Sequence, residues 1–192
     1  MTSTHLASHV VGSHTSDDAT AFDTTVDTLT RLLSMAAEDG GRGGASTVGT
    51  TSGSALFHTL VASAHGYSGS TEPGLDSDWL RTVRRSMRSF GLPILTAVEE
   101  AWNSGQIDAH ATADAFAEIG RMDNLPLRRR REVLLRALKS SSAVVRDGAA
   151  VGLAASGDRS VSDELRQAAH REPMPILRAF FKEIADELSP GA

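Results

Sequence analysis

Small and apolar residues dominate the stretch between Ser142 and Asp158, which reads SAVVRDGAAVGLAASGD. The apolar positions follow the period of an α-helix and cover more than one side of it, which is typical of a helix packed between neighbours. The charged pair Arg146 and Asp147 lies inside this helix, and Gly157 predicts its end. The pattern therefore predicts an inner helix of a layered helical structure.

A second stretch repeats this pattern later in the chain. Pro175-Ile-Leu-Arg178 has the same form as Ala143-Val-Val-Arg146, and the two arginines are 32 residues apart. This distance is about the length of one helix-turn-helix unit of a solenoid. Apolar positions at helical spacing in residues 133–138 and 161–170 predict the other helix of each unit.

Four earlier segments also carry apolar positions at helical spacing: residues 55–65, 78–90, 94–102 and 107–119. Each is followed by glycine, proline or asparagine, which end or interrupt helices. Together with the later segments they predict an all-α protein of about seven or eight helices.

The first part of the chain differs in composition from the rest. Residues 1–20 are rich in Ser, Thr, His and Asp and predict a disordered tail. Residues 21–38 combine an apolar stripe with acidic residues and predict an acidic amphipathic helix, which either caps the helical array or binds another chain. Residues 39–54 are rich in Gly and Ser and predict a loop. Residues 55–192 are predicted to form the helical domain.

The segment LLRALKSSSAVVRDGAAVGLAASGD, which ends at Asp158, resembles a HEAT repeat of the short bacterial kind. The similarity consists of an outer helix, a serine-rich turn, and an inner helix that opens with an apolar residue followed by Arg-x-x-Ala-Ala. It covers residues 126–188, and serines stand where the family often has Asp-Pro. The resemblance implies a right-handed α-solenoid of HEAT-like helical hairpins. Arrays of this kind mostly serve as protein-binding scaffolds.

The resemblance also implies structural roles for Arg146, Asp147 and Arg178. In the family, arginines at the positions of Arg146 and Arg178 usually bond between neighbouring repeats. Phe180 and Phe181 depart from the family pattern, which has small alanines there.

Composition supports a helical fold and limits the chemistry. Hydrophobic residues make up 40% of the 192 residues but aromatic residues only 5%, so the core must consist mainly of Ala, Leu and Val. The chain has no Cys, which excludes disulfides, thiol catalysis and Cys-ligated zinc. The sequence shows neither a signal peptide nor an apolar run of membrane-spanning length. We therefore expect a cytoplasmic protein that does not bind membranes.

Two arginine-rich segments are the strongest surface feature, although the formal net charge of −5 argues against an unspecific nucleic-acid binder. Residues 78–90 place four arginines beside an apolar face. Residues 128–131 are four consecutive arginines, which cover every side of a helical turn, so at least one must lie against the packed face. The segments form either a solvated surface or a docking strip for acidic protein or phosphate. The candidate partner-binding residues are Arg81, Arg84, Arg85, Arg88, Arg128, Arg129 and Arg130.

We recognise no catalytic, cofactor-binding or metal-binding constellation in the sequence, and residues 39–54 lack the lysine of a phosphate-binding loop. We therefore expect a non-enzymatic protein without cofactors, an adaptor, regulator or neutralising partner comparable to an antitoxin or immunity protein. It would bind one specific protein through an exposed helix face. Alternatives are a nucleic-acid-binding HEAT-like module that uses the arginines, and an enzyme accessory similar to the HEAT-like bilin lyases. A homodimer that exchanges residues 22–36 is a further alternative.

Overall fold

The computed structural model describes residues 47–65, 67 and 77–189. All regular secondary structure in this part of the chain is helical, which confirms the all-α prediction there. The predicted tail (1–20), the acidic helix (21–38) and residues 39–46 lie outside the described residues. The α-helices are α1 (Thr47–Ala64), α2 (Asp78–Phe90), α3 (Leu92–Asn103), α4 (Ala109–Arg121), α5 (Leu127–Ala137), α6 (Ala143–Ser156), α7 (Ser162–Arg171) and α8 (Pro175–Glu187), with a short 3-10 helix (Arg159–Val161) before α7.

The first helix begins earlier than its composition predicts. The sequence predicts a loop up to Ser54, whereas α1 starts at Thr47. Glycine, serine and threonine each disfavour a helix by about 1 kcal/mol or less relative to alanine. The buried residues Leu56 and Leu60 anchor the helix in the core, and extension of an anchored helix gains one hydrogen bond per added residue. The predicted loop is therefore helical from Thr47 onward.

The even-numbered helices form a row in which each helix contacts the next. They begin at Asp78, Ala109, Ala143 and Pro175, which are 31, 34 and 32 residues apart. In this row α2 contacts α4, α4 contacts α6, and α6 contacts α8. The echo of the α6 pattern in α8 thus corresponds to two neighbouring helices of the same row.

Ion pairs also link α3, α5 and the segment before α7. Glu99 of α3 accepts a hydrogen bond from Arg136 of α5 and lies 3.9 Å from the Arg129 guanidinium. Arg131 of α5 lies 3.4 Å from Asp158, which precedes the 3-10 helix. These ion pairs hold α3 to α5, and α5 to the segment before α7.

The most extensive contact between two helices joins α4 and α6, and it depends on glycine. A Cβ atom at Gly148 would overlap the backbone of Ala113, and a Cβ atom at Gly152 would overlap the Phe116 carbonyl oxygen. Only glycine lets two helix backbones approach this closely. The small residues of the SAVVRDGAAVGLAASGD stretch therefore allow α6 to pack directly against its neighbour.

Aromatic side chains occupy the core near α4. Trp79 is 1% exposed, and its indole Nε1 donates a hydrogen bond of 2.9 Å to the Ala111 carbonyl oxygen. Trp102 meets the buried Phe116 edge to face, with 5.1 Å between ring centroids. Both tryptophans thus pack within the described part of the fold, as the sequence predicts.

Polar side chains mark the beginnings of several helices. Ser77, Asp108 and Ser142 accept hydrogen bonds from backbone N–H groups in the first turns of α2, α4 and α6. Gly157 follows α6 with φ of 63°, in the left-handed region that favours glycine. The predicted end of α6 at Gly157 is confirmed.

Candidate functional site

A groove of about 440 Å³ lies between α5 and α7. One wall consists of α5 and the turn after it, including Leu135, Leu138 and Lys139. The other wall consists of α7 and its following turn, including Arg171 and Pro173. The groove is therefore formed by two helices that are not consecutive in the chain, together with the turns that follow them.

A bidentate ion pair lies at the groove, between Arg146 of α6 and Glu172 after α7. The Arg146 Nε and Nη2 atoms donate to the two Glu172 carboxylate oxygens at 2.7 and 2.8 Å. Arg146 Nη1 donates to the carbonyl oxygens of Ser140 and Ser141 at 2.9 and 3.0 Å. The Arg146 side chain is 11% exposed and that of Glu172 only 1%, so solvent screens the pair weakly.

These contacts hold both groups in their charged forms. The hydrogen bonds from Arg146 lower the pKa of the Glu172 carboxyl below its usual 4.5, although desolvation of the carboxyl acts in the opposite direction. The same hydrogen bonds raise the pKa of the Arg146 guanidinium. The pair therefore contributes no net charge to the groove at neutral pH.

Arg178 of α8 repeats the backbone contacts of Arg146. It donates to the Glu172 carbonyl oxygen at 3.0 and 2.9 Å and to the Pro173 carbonyl oxygen at 3.5 Å. Each arginine thus bonds the carbonyl groups of the fifth and sixth residues before it, in the turn that precedes its own helix. The 32-residue repeat in the sequence therefore corresponds to a repeated hydrogen-bond pattern.

Asp147 does not pair with its neighbour Arg146, whose guanidinium is directed at Glu172 and at carbonyl groups. The Asp147 side chain is half-buried, and this burial raises the pKa of its carboxyl above the usual 3.8. Within the described residues, no hydrogen bond or salt bridge offsets the desolvation of the Asp147 carboxylate.

Two cations and one anion project at the rim of the groove. Lys139 and Arg171 are exposed, and neither makes a salt bridge with a described residue. They are 32 residues apart, the same spacing that separates Arg146 from Arg178. Glu164 is also exposed and lies seven residues before Arg171, which is about two helical turns along α7. The groove therefore has a cationic end near the helix C-termini and an acidic group further along α7.

Apolar side chains line part of the groove, and two exposed ones follow its last lining residue along the chain. Leu135 and Ala168 line the groove and are half-buried. Met174 and Ile176, which directly follow Pro173 and the turn, are 44% and 79% exposed. A contiguous exposed apolar patch is typical of a protein-binding site, and these two side chains could contribute to one.

The arginines of α2 are only in part available to a partner. The Arg84 Nε and Nη2 atoms donate to the Glu118 carboxylate at 2.8 and 3.2 Å, and that carboxylate is 3% exposed. Arg84 therefore neutralises a buried acid of α4. Arg81 and Arg88 are exposed, and Arg85 is half-buried.

The four consecutive arginines of α5 have different environments. Arg128 and Arg129 both donate to Glu132, at 2.9 and 2.8 Å, and these hydrogen bonds lower the pKa of the Glu132 carboxyl. Arg130 is only 6% exposed and donates to the Gly120 carbonyl oxygen at 2.6 Å. The prediction that one of the four lies against the packed face is confirmed. Arg130 was also predicted to bind a partner, and its burial corrects that prediction.

Sequence reasoning missed Glu172, Arg171 and the groove itself. Sequence reasoning did not single out Lys139 either, because the groove forms where two turns that are distant in the sequence meet. The 32-residue spacing of Arg146 and Arg178 could have indicated these positions. The same spacing separates Lys139 from Arg171 and Ser140 from Glu172.

Two kinds of feature, a metal-binding cluster and a membrane-spanning helix, are absent from the described residues. They contain no group of three or more His, Cys, Asp or Glu side chains placed to hold a metal ion. Among their helices, none has both the length and the apolar character needed to cross a membrane.

No protein-family model matches the chain, and no curated protein or solved structure matches it either. The functional interpretation therefore depends on the geometry of the residues described above.

Proposed function

We propose that this protein is a non-catalytic binding protein, an adaptor, regulator or neutralising partner of one specific cytoplasmic protein. The observation that carries the proposal is the groove between α5 and α7. It combines apolar side chains in its walls with two rim cations that have no carboxylate partner in the described residues, and the exposed Met174 and Ile176 follow its lining residue Pro173 along the chain. Apolar contact area with a few charged groups at its rim is the usual composition of a protein interface.

The fold that we propose for this function is a short right-handed solenoid of HEAT-like hairpins. Three observations support it: the even-numbered helices begin every 31 to 34 residues, each contacts the next, and Arg146 and Arg178 bond to equivalent carbonyl groups. Stacked units of this kind present extended surfaces for binding.

Affinity purification of the tagged full chain from its native cells tests the proposed function. We expect one protein to co-purify in equal amount, to be retained after nuclease treatment, and to be identified by mass spectrometry. We also expect Ile176→Asp to reduce its recovery, because this change places a charge on the exposed apolar surface. A preparation without a stoichiometric protein partner would contradict the proposal.

Nucleic-acid binding through the arginines is a second candidate, favoured by the exposed Arg88 and by Arg128, whose side chain is 81% exposed. The carboxylate of Glu118 pairs with Arg84, and that of Glu132 pairs with Arg128 and Arg129, which weakens the case. Phosphate contacts make affinity fall steeply with salt. A salt-dependent affinity for duplex DNA or RNA that Arg88→Glu/Arg128→Glu abolishes would establish this candidate, and binding unchanged by the substitutions would exclude it.

A further inference from the structure

We propose that the groove between α5 and α7 binds an acidic segment of the partner protein, in which an apolar side chain is flanked by carboxylates. This inference rests on the proposed function and adds the chemistry of the partner. The carboxylates contact Lys139 and Arg171, and the apolar side chain enters the groove between Leu135 and Ala168.

The ion pair at the groove is complete without a ligand. Every nitrogen of the Arg146 guanidinium donates to a protein oxygen, either of Glu172 or of the turn before α6. A ligand gains nothing by competing for this cation, because the Glu172 carboxylate is bidentate and nearly inaccessible to solvent. Charge recognition must therefore occur at the rim.

The rim cations differ from three of the arginines of α5 in their ion pairing. Arg129, Arg131 and Arg136 each form a salt bridge within the described part of the chain. Lys139 and Arg171 form none there, although both are exposed and both line the groove. Their positions at the C-terminal ends of α5 and α7 favour a cation through the helix dipoles. Arg171 Nε donates to the Gln167 carbonyl oxygen at 3.2 Å, which leaves the positive charge without a carboxylate partner among the described residues.

The distribution of charge also sets an orientation. Glu164 lies about two turns from Arg171 towards the start of α7, so these two opposite charges occupy different parts of the groove. We expect the partner's carboxylates at the end with Lys139 and Arg171. An uncharged or basic residue of the partner is expected near Glu164.

The apolar surface supplies the second half of the recognition. Leu135 and Ala168 are half-buried in the walls, and Ile176 is 79% exposed beyond Pro173. A purely acidic ligand would leave this surface in water. A segment that alternates carboxylates with Leu, Ile or Phe covers both features.

Selection of displayed random peptides on the full-length chain tests this inference. We expect the enriched peptides to carry Asp or Glu within about one helical turn of Leu, Ile or Phe. A synthetic peptide of the strongest sequence is then titrated by fluorescence anisotropy. We expect Lys139→Glu/Arg171→Glu to weaken its binding at least about tenfold at low salt. The matched control Arg159→Glu/Lys182→Glu reverses two exposed cations outside the groove lining and is expected to change the affinity less than about twofold.

Circular dichroism of both double variants verifies that they fold. Enriched peptides without acidic residues, failure to enrich any groove-binding peptide, or an affinity insensitive to Lys139→Glu/Arg171→Glu would overturn the inference. A synthetic peptide of residues 21–38, the acidic segment of this chain, is titrated alongside. Equally tight binding of that peptide would make the occupant this chain itself and not a partner.

The inference about the groove can fail while the proposed binding function holds, and the experiments distinguish the two cases. A native protein partner that co-purifies in equal amount and still binds the Lys139→Glu/Arg171→Glu variant would leave the proposed function standing and overturn this inference. Absence of any native partner would overturn the proposed function itself.

Discussion

Arg146 and Glu172 connect two consecutive hairpins through one bidentate ion pair, with distances of 2.7 and 2.8 Å. Arg146 also bonds the turn before its own helix, and Arg178 bonds the carbonyl group of the same Glu172. The turns before α6 and α8 are therefore fastened to each other by side chains as well as by helix packing. This linkage also fixes the end of the groove where Lys139 and Arg171 lie.

Removal of either partner of this pair should destabilise the fold strongly. We expect Arg146→Ala and Glu172→Ala each to lower the free energy of unfolding by about 3 kcal/mol, because the remaining charge stays poorly solvated. Urea unfolding followed by circular dichroism measures the change. The double variant should lose less than the sum of the two, since it leaves no unpaired charge.

An exposed pair in the neighbouring helix provides the control. Arg128 and Glu132 form a salt bridge with side chains that are 81% and 37% exposed. Arg128→Ala should change the free energy of unfolding by about 0.5 kcal/mol or less. If Arg128→Ala and Arg146→Ala lowered the free energy of unfolding equally, the distinction between a buried and a solvated ion pair would be wrong.

The lowered pKa of Glu172 gives the pair a defined pH dependence. In the unfolded chain this carboxyl has its usual pKa near 4.5, and in the folded chain its pKa is lower. The folded state therefore binds the proton less readily, and the stabilisation is complete above pH 4.5 and lost as the pH falls through the folded-state pKa. We expect the difference in unfolding free energy between the wild type and Glu172→Gln to shrink in acid. A difference that is constant from pH 7 to strongly acidic solution would rule out this assignment.

Asp147 should show the opposite dependence. Burial raises its folded-state pKa above 3.8, so the folded state binds the proton more readily than the unfolded state. The charged carboxyl then destabilises the fold at neutral pH, and this penalty disappears as the pH falls through the raised pKa. We expect Asp147→Asn to increase the free energy of unfolding at pH 7, with a smaller gain at lower pH. Decreased stability at pH 7 would indicate that Asp147 has a favourable interaction instead.

Local periodicity predicted most of the described helices because each buries a continuous stripe. Ala143, Val145 and Ala149 lie on positions that sequence reasoning assigned to an inner helix, and α6 begins and ends close to the predicted residues. The start of α1 was not predictable in the same way. Packing of Leu56 and Leu60 in the core outweighs the weak helix preference of the residues before them.

The site was less predictable because it depends on contacts between distant turns. The partner of Arg146 is Glu172, 26 residues away, and not the adjacent Asp147. Helical periodicity can show that one of four consecutive arginines faces the core, but the sequence alone did not show that it is Arg130. Pairing of Arg84 with Glu118 likewise required the arrangement of α2 beside α4.

The close approach of α4 and α6 gives a last prediction, which concerns Gly148. An alanine Cβ there would overlap the Ala113 backbone, and a backbone cannot move aside as a flexible side chain can. Although alanine favours a helix over glycine, we expect Gly148→Ala to lower the free energy of unfolding by at least about 2 kcal/mol. Ala155→Ser, on the exposed side of the same helix, should change it by about 0.5 kcal/mol or less. A stabilised Gly148→Ala variant in urea unfolding would show that the two helices do not pack backbone to backbone.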